Sequence, residues 1–152
     1  GGLLLGICNG FQILCEAGLL PGALLHNNNQ KFICKNTFLK ACSDSAGITE
    51  NVNKNKAYKI PIAHGEGRYY AEIDVVEDLF EKDQVLFQYC DLNGNVSEDD
   101  NPNGSLQNIA GISNKNKNVM GMMPHPERAV EPLLGNTDGV PLFQSLLNSS
   151  KS

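Results

Sequence analysis

The stretch Leu3-Leu4-Leu5-Gly6-Ile7-Cys8-Asn9-Gly10-Phe11-Gln12-Ile13-Leu14-Cys15 holds two periodicities back to back. Leu3 to Ile7 is a short, nearly continuous apolar run, the pattern of a strand buried on both faces in a parallel sheet. From Phe11 the period changes: Phe11, Leu14 and Cys15 recur at helical spacing until Gly18 and Pro21-Gly22 end the element. Strand, tight turn and helix in that order form an elbow that presents a nucleophile at the top of a sheet. Glycines two residues to either side of Cys8 remove Cβ atoms that would crowd so sharp a turn. The helix N-terminus is expected to lower the thiol pKa, and the Asn9 amide N–H to point at a developing oxyanion. The same G-x-C-x-G pattern also fits a buried structural cysteine at a β-to-α turn.

A second motif lies far downstream, where Pro124-His125-Pro126-Glu127 follows the apolar Val119 to Met123. A histidine there can take a thiol proton and return it to a leaving amine, with a carboxylate two residues on to orient the ring and stabilise the imidazolium. Two flanking prolines stiffen its backbone. A solvated turn is the plain alternative. A His-x-Glu also opens the signature of zinc deaminases, but that needs a later P-C-x-x-C and no cysteine follows Cys90, so no metal is expected. Nucleophile, His and Glu in this chain order suit an α/β-hydrolase-like sheet.

Between the motifs the chain alternates short apolar runs with polar turns. Phe32 to Cys34 and Thr37 to Leu39 read as two strands around a turn at Lys35-Asn36, and Asn51 to Lys56 as a loop. Tyr58 to Ala63 reads as a strand entering His64-Gly65-Glu66-Gly67, Tyr69 to Val76 as a further extended or mixed segment, and Val85 to Cys90 as a strand closed by an Asn-Gly turn. Ser97 to Gly104 is acidic and Asn/Pro-rich, the composition of a solvated loop. Ile109 to Ser113 and Val119 to Met123 form a strand pair around Asn114 to Asn118, and Leu142 to Leu147 an amphipathic helix. Cys15 and Met120, Met122 and Met123 are expected in packing roles, and His26 and Arg128 at the surface.

No linker or repeat divides the 152 residues, so residues 1–152 are taken as one domain. A formal charge of -5 offers no field for a phosphate backbone, and the apolar stretch Gly1 to Cys8 is far short of the ~20 residues that span a bilayer; nucleic acid and membrane are not expected partners. Five cysteines with no C-x-x-C pair fit a reducing, cytoplasmic compartment.

The two motifs together resemble those of class I glutamine amidotransferases: Gly6 to Gln12 is similar to their G-x-C-x-G-x-Q, and Pro124 to Glu127 to their His-Pro-Glu. Gly18 to Leu24, Ile62 to Gly67, Asn101 to Ser105, Asn108 to Ile112 and Gly121 to Ala129 extend the resemblance, within that class, to the glutaminase subunits of phosphoribosylformylglycinamidine synthases. The resemblance implies a three-layer, flavodoxin-like α/β domain, mostly parallel with an antiparallel excursion. It implies hydrolysis of the glutamine side-chain amide, the ammonia passing to a synthetase subunit that makes formylglycinamidine ribonucleotide, with a small third subunit in bacterial complexes. Cys8, His125 and Glu127 would be catalytic, while Asn9, Gln12, Gly65 and Glu66 would meet the substrate. No cofactor is expected in this chain, ATP and magnesium belonging to the synthetase. Family members carry strands and a Gly-rich loop ahead of the elbow, so the chain is expected to be an N-terminally truncated, C-terminal portion. Another Cys-His-Glu hydrolase on the same fold, acting on γ-glutamyl compounds or peptides, and a non-catalytic interaction fragment are the alternatives.

Overall fold

The computed structural model describes residues 2–151; Gly1, at the head of the apolar stretch, and Ser152, at the end of the single-domain span, lie outside the described residues. β1 (Leu4–Ile7) turns through Cys8 into α1 (Asn9–Glu16), the strand–turn–helix order expected from the opening residues, but β1 is not buried on both faces: it lies at the edge of its sheet and Leu3 and Leu4 are exposed. There follow β2 (Ala23–Leu25), β3 (Ile33–Ala41), β4 (Ala57–His64), β5 (Arg68–Tyr70), α2 (Ile73–Glu81), β6 (Val85–Cys90), β7 (Ile109–Ser113), β8 (Val119–Met122) and α3 (Val140–Ser150). Six strands make one sheet in the order β1-β8-β7-β6-β3-β4, and β2 pairs with β5 in a separate ribbon.

The layers are those of an α/β sandwich. β4 places Tyr58, Ile60 and Ile62 at period two in one core, where Leu39, Ile48, Tyr89 and the α3 residue Leu142 join them. A second core collects Phe11 and Leu14 from α1, Val76 and Leu79 from α2, and Leu24 and Tyr69 from the ribbon. A helical stripe facing a sheet is what three to four apolar positions per two turns produce.

The sheet is mixed rather than mostly parallel. β1 pairs with β8 in parallel, and the sheet's four other pairings are antiparallel. Parallel neighbours need a crossover of about a dozen residues or more, whereas β7 reaches β8 through the five residues 114–118. That turn is closed by Asn114, whose Oδ1 accepts the backbone N–H groups of Asn118 and Val119.

Three local readings change. β3 is one strand and not two around Lys35-Asn36: Ile33 to Lys40 pairs continuously with β4, but only Phe38 to Ala41 also has β6 alongside. Cys34, Lys35 and Asn36 are exposed there, which removes the alternation that marks a strand. The mixed segment after Tyr69 resolves into the end of β5 and the helix α2, which buries only Val76 and Leu79 and leaves Ile73 exposed. The expected solvated loop 97–104 contains Asn103, which has no exposure at all.

Candidate active site

Cys8 sits between β1 and α1 with φ 55° and ψ -109°, a region that costs a non-glycine residue about 1–3 kcal/mol. Its surroundings hold it there. The Cys8 N–H donates to Met122 O at 2.8 Å on β8, and its carbonyl accepts from Gln12 N–H at 3.2 Å, the first turn of α1. A Cβ on Gly6 would lie 2.6 Å from both the Gly10 carbonyl carbon and Leu14 Cδ1, so this position admits only glycine without rearrangement. Gly10 differs from expectation: an added Cβ there meets nothing within 4 Å among the described residues.

The Cys8 thiol is nearly buried and donates to Ala63 O at 3.6 Å. Burial pushes its pKa up, more than the Asn9 backbone N–H and the nearby Arg128 pull it down. The expected lowering by the helix N-terminus is therefore outweighed. A thiol held neutral at rest needs a base beside it to become a nucleophile.

His125 lines the same cavity as Cys8. Its backbone is pinned by an N–H bond to Pro61 O at 2.8 Å, with Pro126 opening a 3-10 turn over Pro126–Arg128. Its Nδ1 lies 2.5 Å from Glu127 Oε1, while Nε2 is buried without a hydrogen-bond partner among the described residues. A carboxylate on Nδ1 places the proton there and leaves Nε2 as the free, basic nitrogen.

Cys8, Asn9, Gln12, Gly65, Glu66 and His125 line one cavity of about 420 Å³, together with His64, Phe32 and Arg128 among others. Six of the seven residues singled out by sequence thus share a wall, and the seventh, Glu127, stands behind His125. Gln12 Nε2 donates to Glu66 Oε2 at 3.1 Å, and Glu66 Oε1 lies 3.5 Å from His26 Nε2. A larger cleft of about 790 Å³, between the end of α1 and α2, contains Cys15, Asp74 and Asp78 but no histidine. Among the described residues no group of three or more His, Cys, Asp and Glu is placed to hold a metal ion, and no helix is long and apolar enough to cross a membrane.

Sequence reading missed what holds the 64–67 loop. His64 is buried, with Asn27 Oδ1 at 3.0 Å from Nδ1 and Asn103 Nδ2 at 3.4 Å from Nε2. Burial, with His125 adding to it, pushes His64 from the usual 6.5 down to about 4. The unfolded chain therefore takes up this proton near pH 6.5, and the folded one only near pH 4. The His64 contribution is complete above about pH 6.5 and is lost as pH falls towards 4, by roughly 3 kcal/mol at the linkage rate of 1.36 kcal/mol per unit. Urea unfolding at pH 7 and pH 4.5 checks this: a His64→Asn variant should lose markedly less stability across that interval, and an equal loss would exclude His64 as the source.

A strained cysteine at a strand-to-helix elbow and a His-Glu pair beside the same cavity form a Cys-His-Glu arrangement on an α/β fold. The chain belongs to the CobB/CobQ-like glutamine amidotransferase domain family, which matches residues 1–139. It is 52% identical over 151 residues to phosphoribosylformylglycinamidine synthase subunit PurQ of Pelagibacter ubique, covering 99% of this chain and 66% of that protein. The PurQ subunit of Aquifex aeolicus is also 52% identical, over 97% of this chain and 65% of its own length. The solved structure of PurLQS from Thermotoga maritima superposes with a TM-score of 0.80 at 46% identity, covering 97% of this chain and 61% of that one. The chain thus spans a little under two thirds of the length of these relatives.

Proposed function

We propose that the chain carries the glutaminase chemistry of a phosphoribosylformylglycinamidine synthase. The observation that supports this most is that Cys8 and His125 line one cavity, with His125 Nε2 lacking a hydrogen-bond partner among the described residues. His125 Nε2 takes the Cys8 proton as the sulfur attacks the carboxamide carbon of glutamine. The oxyanion forms beside the Asn9 N–H, one of the first-turn amides of α1 that has no intrahelical acceptor. Collapse of the tetrahedral intermediate breaks the C–N bond, His125 returns the proton to the leaving nitrogen, and ammonia departs from a γ-glutamyl thioester. Water, deprotonated by the same nitrogen, then releases glutamate and restores the thiol. Glu127 keeps the imidazole in the required tautomer and stabilises its charged form. Gln12 and the Gly65-Glu66 segment line the cavity where the substrate's α-amino and carboxylate groups would rest.

In this reading the ammonia goes to a synthetase subunit, with a small third subunit completing the complex, and ATP and magnesium act on the synthetase and not here. The naming of the relatives and the complex in which the solved one was found support these partners.

A chloroketone or diazoketone analogue of glutamine tests the assignment. Mass spectrometry of the complex should find Cys8 alkylated and the other thiols unmodified. Burial raises Cys15 to about 12, Cys42 to about 11 and Cys90 to about 12, so these are poor nucleophiles at neutral pH. Cys34 is exposed and serves as the internal control: a simple haloacetamide should reach it, the glutamine analogue should not. Labelling spread over Cys34 and the buried thiols would remove Cys8 from its role.

A further inference from the structure

Two histidines stand in the cavity wall, and their free nitrogens differ. His125 has a bare Nε2, whereas both ring nitrogens of His64 face polar groups. The donors and acceptors around His64 can be arranged in one way only. Asn27 Nδ2 donates to Lys31 O at 2.7 Å and to His64 O at 2.8 Å, which makes Asn27 Oδ1 the acceptor. That oxygen receives the Gly67 N–H at 3.2 Å and faces His64 Nδ1 at 3.0 Å. An amide oxygen cannot donate, so His64 Nδ1 carries the proton.

Nε2 is then a lone pair, and Asn103 Nδ2 is the donor that faces it. Asn103 is itself oriented: its Oδ1 accepts the Ser105 N–H at 3.1 Å and the Ser105 hydroxyl at 2.8 Å, while Nδ2 also donates to Gly67 O at 2.9 Å. Both backbone groups of Gly67 are therefore held by side chains from distant segments. The His64 ring lies against the bare Cα of Gly67, where an added Cβ would overlap the imidazole. Neither Asn27 nor Asn103 lines the cavity.

We propose that Asn27 and Asn103 are positioning residues for substrate binding, clamping a neutral, Nδ1-protonated His64 and both ends of the 64–67 loop so that Gly65 and Glu66 stay at the height of glutamine's α-groups. The proposal rests on the glutaminase reading of the cavity. With both nitrogens engaged, His64 is a strut and not a second base. Loss of a clamp residue loosens the α-group subsite, while Cys8 and His125 keep their backbone bonds to Met122 O and Pro61 O.

The test combines kinetics in the full complex with ¹⁵N-histidine spectra. Long-range ¹H–¹⁵N correlations should show His64 as the neutral Nδ1–H tautomer, the less common form, at neutral pH. Asn103→Ala should raise the KM for glutamine about tenfold and lower kcat less than about threefold, the mark of lost uniform binding. It should also speed amide exchange at Gly65 to Gly67 without affecting β8. His64→Asn, whose amide can replace Nδ1–H as donor to Asn27, should keep a lower KM than His64→Ala. An Nε2–H tautomer, or an unchanged KM in Asn103→Ala alongside an active wild type, overturns the positioning role alone. A wild type with neither turnover nor Cys8 labelling overturns the glutaminase reading and the substrate role built on it.

Discussion

His125→Ala is expected to lower glutamine hydrolysis on the order of 10⁴-fold with the fold intact. The size follows from the state of the thiol. Cys8 is not a preformed thiolate, because burial outweighs the helix amide that favours the charge. Without Nε2 to receive the proton, the attacking species is scarce, and the leaving nitrogen departs unprotonated. Glu127→Gln should cost less, on the order of 10², since its side chain is 44% exposed and water can partly replace the carboxylate in orienting the ring. Single-turnover mixing with quench at millisecond intervals separates the two: no γ-glutamyl thioester should accumulate in His125→Ala, and a slowed burst should persist in Glu127→Gln. Equal, small losses in both variants would reduce the Pro124 to Glu127 segment to a turn.

Phe11→Ala is expected to cost about 3–5 kcal/mol of stability, the usual range for truncating a buried aromatic ring. Phe11 has no exposure, stacks on Tyr69 with ring centroids 6.0 Å apart, and occupies the space above Gly121 that any Cβ there would invade. It thus joins α1, the ribbon and β8 three residues beyond the nucleophile. Chemical denaturation gives the stability loss, and kcat at a temperature where the variant remains folded should also fall, because α1 carries the amide that faces the oxyanion. Undiminished kcat would mean that the elbow is set by Gly6 and the β8 hydrogen bond alone.

The elbow and the His-Glu loop were legible because their chemistry is local. Glycine, a nucleophile and a change of period occur within ten residues, and the turn between β7 and β8 advertises itself through Asn114 and Asn118. Segments whose environment is set by distant neighbours were not legible. The exposed first half of β3 carries no alternation because only β4 lies beside it. α2 carries Ile73, Val75 and Val76, β-branched residues that read as extended chain, and its helicity comes from packing Val76 and Leu79 on the second core. Asn27 and Asn103 lie in Asn-rich stretches whose composition suggests solvent. Their burial is sustained by hydrogen bonds to residues tens of positions away, and no pattern within either stretch encodes those partners.

β1 and β8, the one parallel pair among the described strands of the sheet, match Ile7 with Met122, and the chain leaves both strands at the same rim, one residue before Cys8 and three before His125. The spacing of Cys8 and His125 thereby depends on strand register, together with the Pro61 O bond that pins the His125 backbone from β4. Successive side chains on a strand point to opposite faces, so one residue inserted within 119–122 would turn the segment over and carry His125 with it. The 114–118 turn is itself tied down by Asn114 and by the Leu4 N–H bond to Asn118 O, and only its tip, Lys115-Asn116, is exposed. A designer adding a tag, a reporter or a tether to this protein would place it at that tip, a few residues upstream of a strand where a single insertion would part Cys8 from His125.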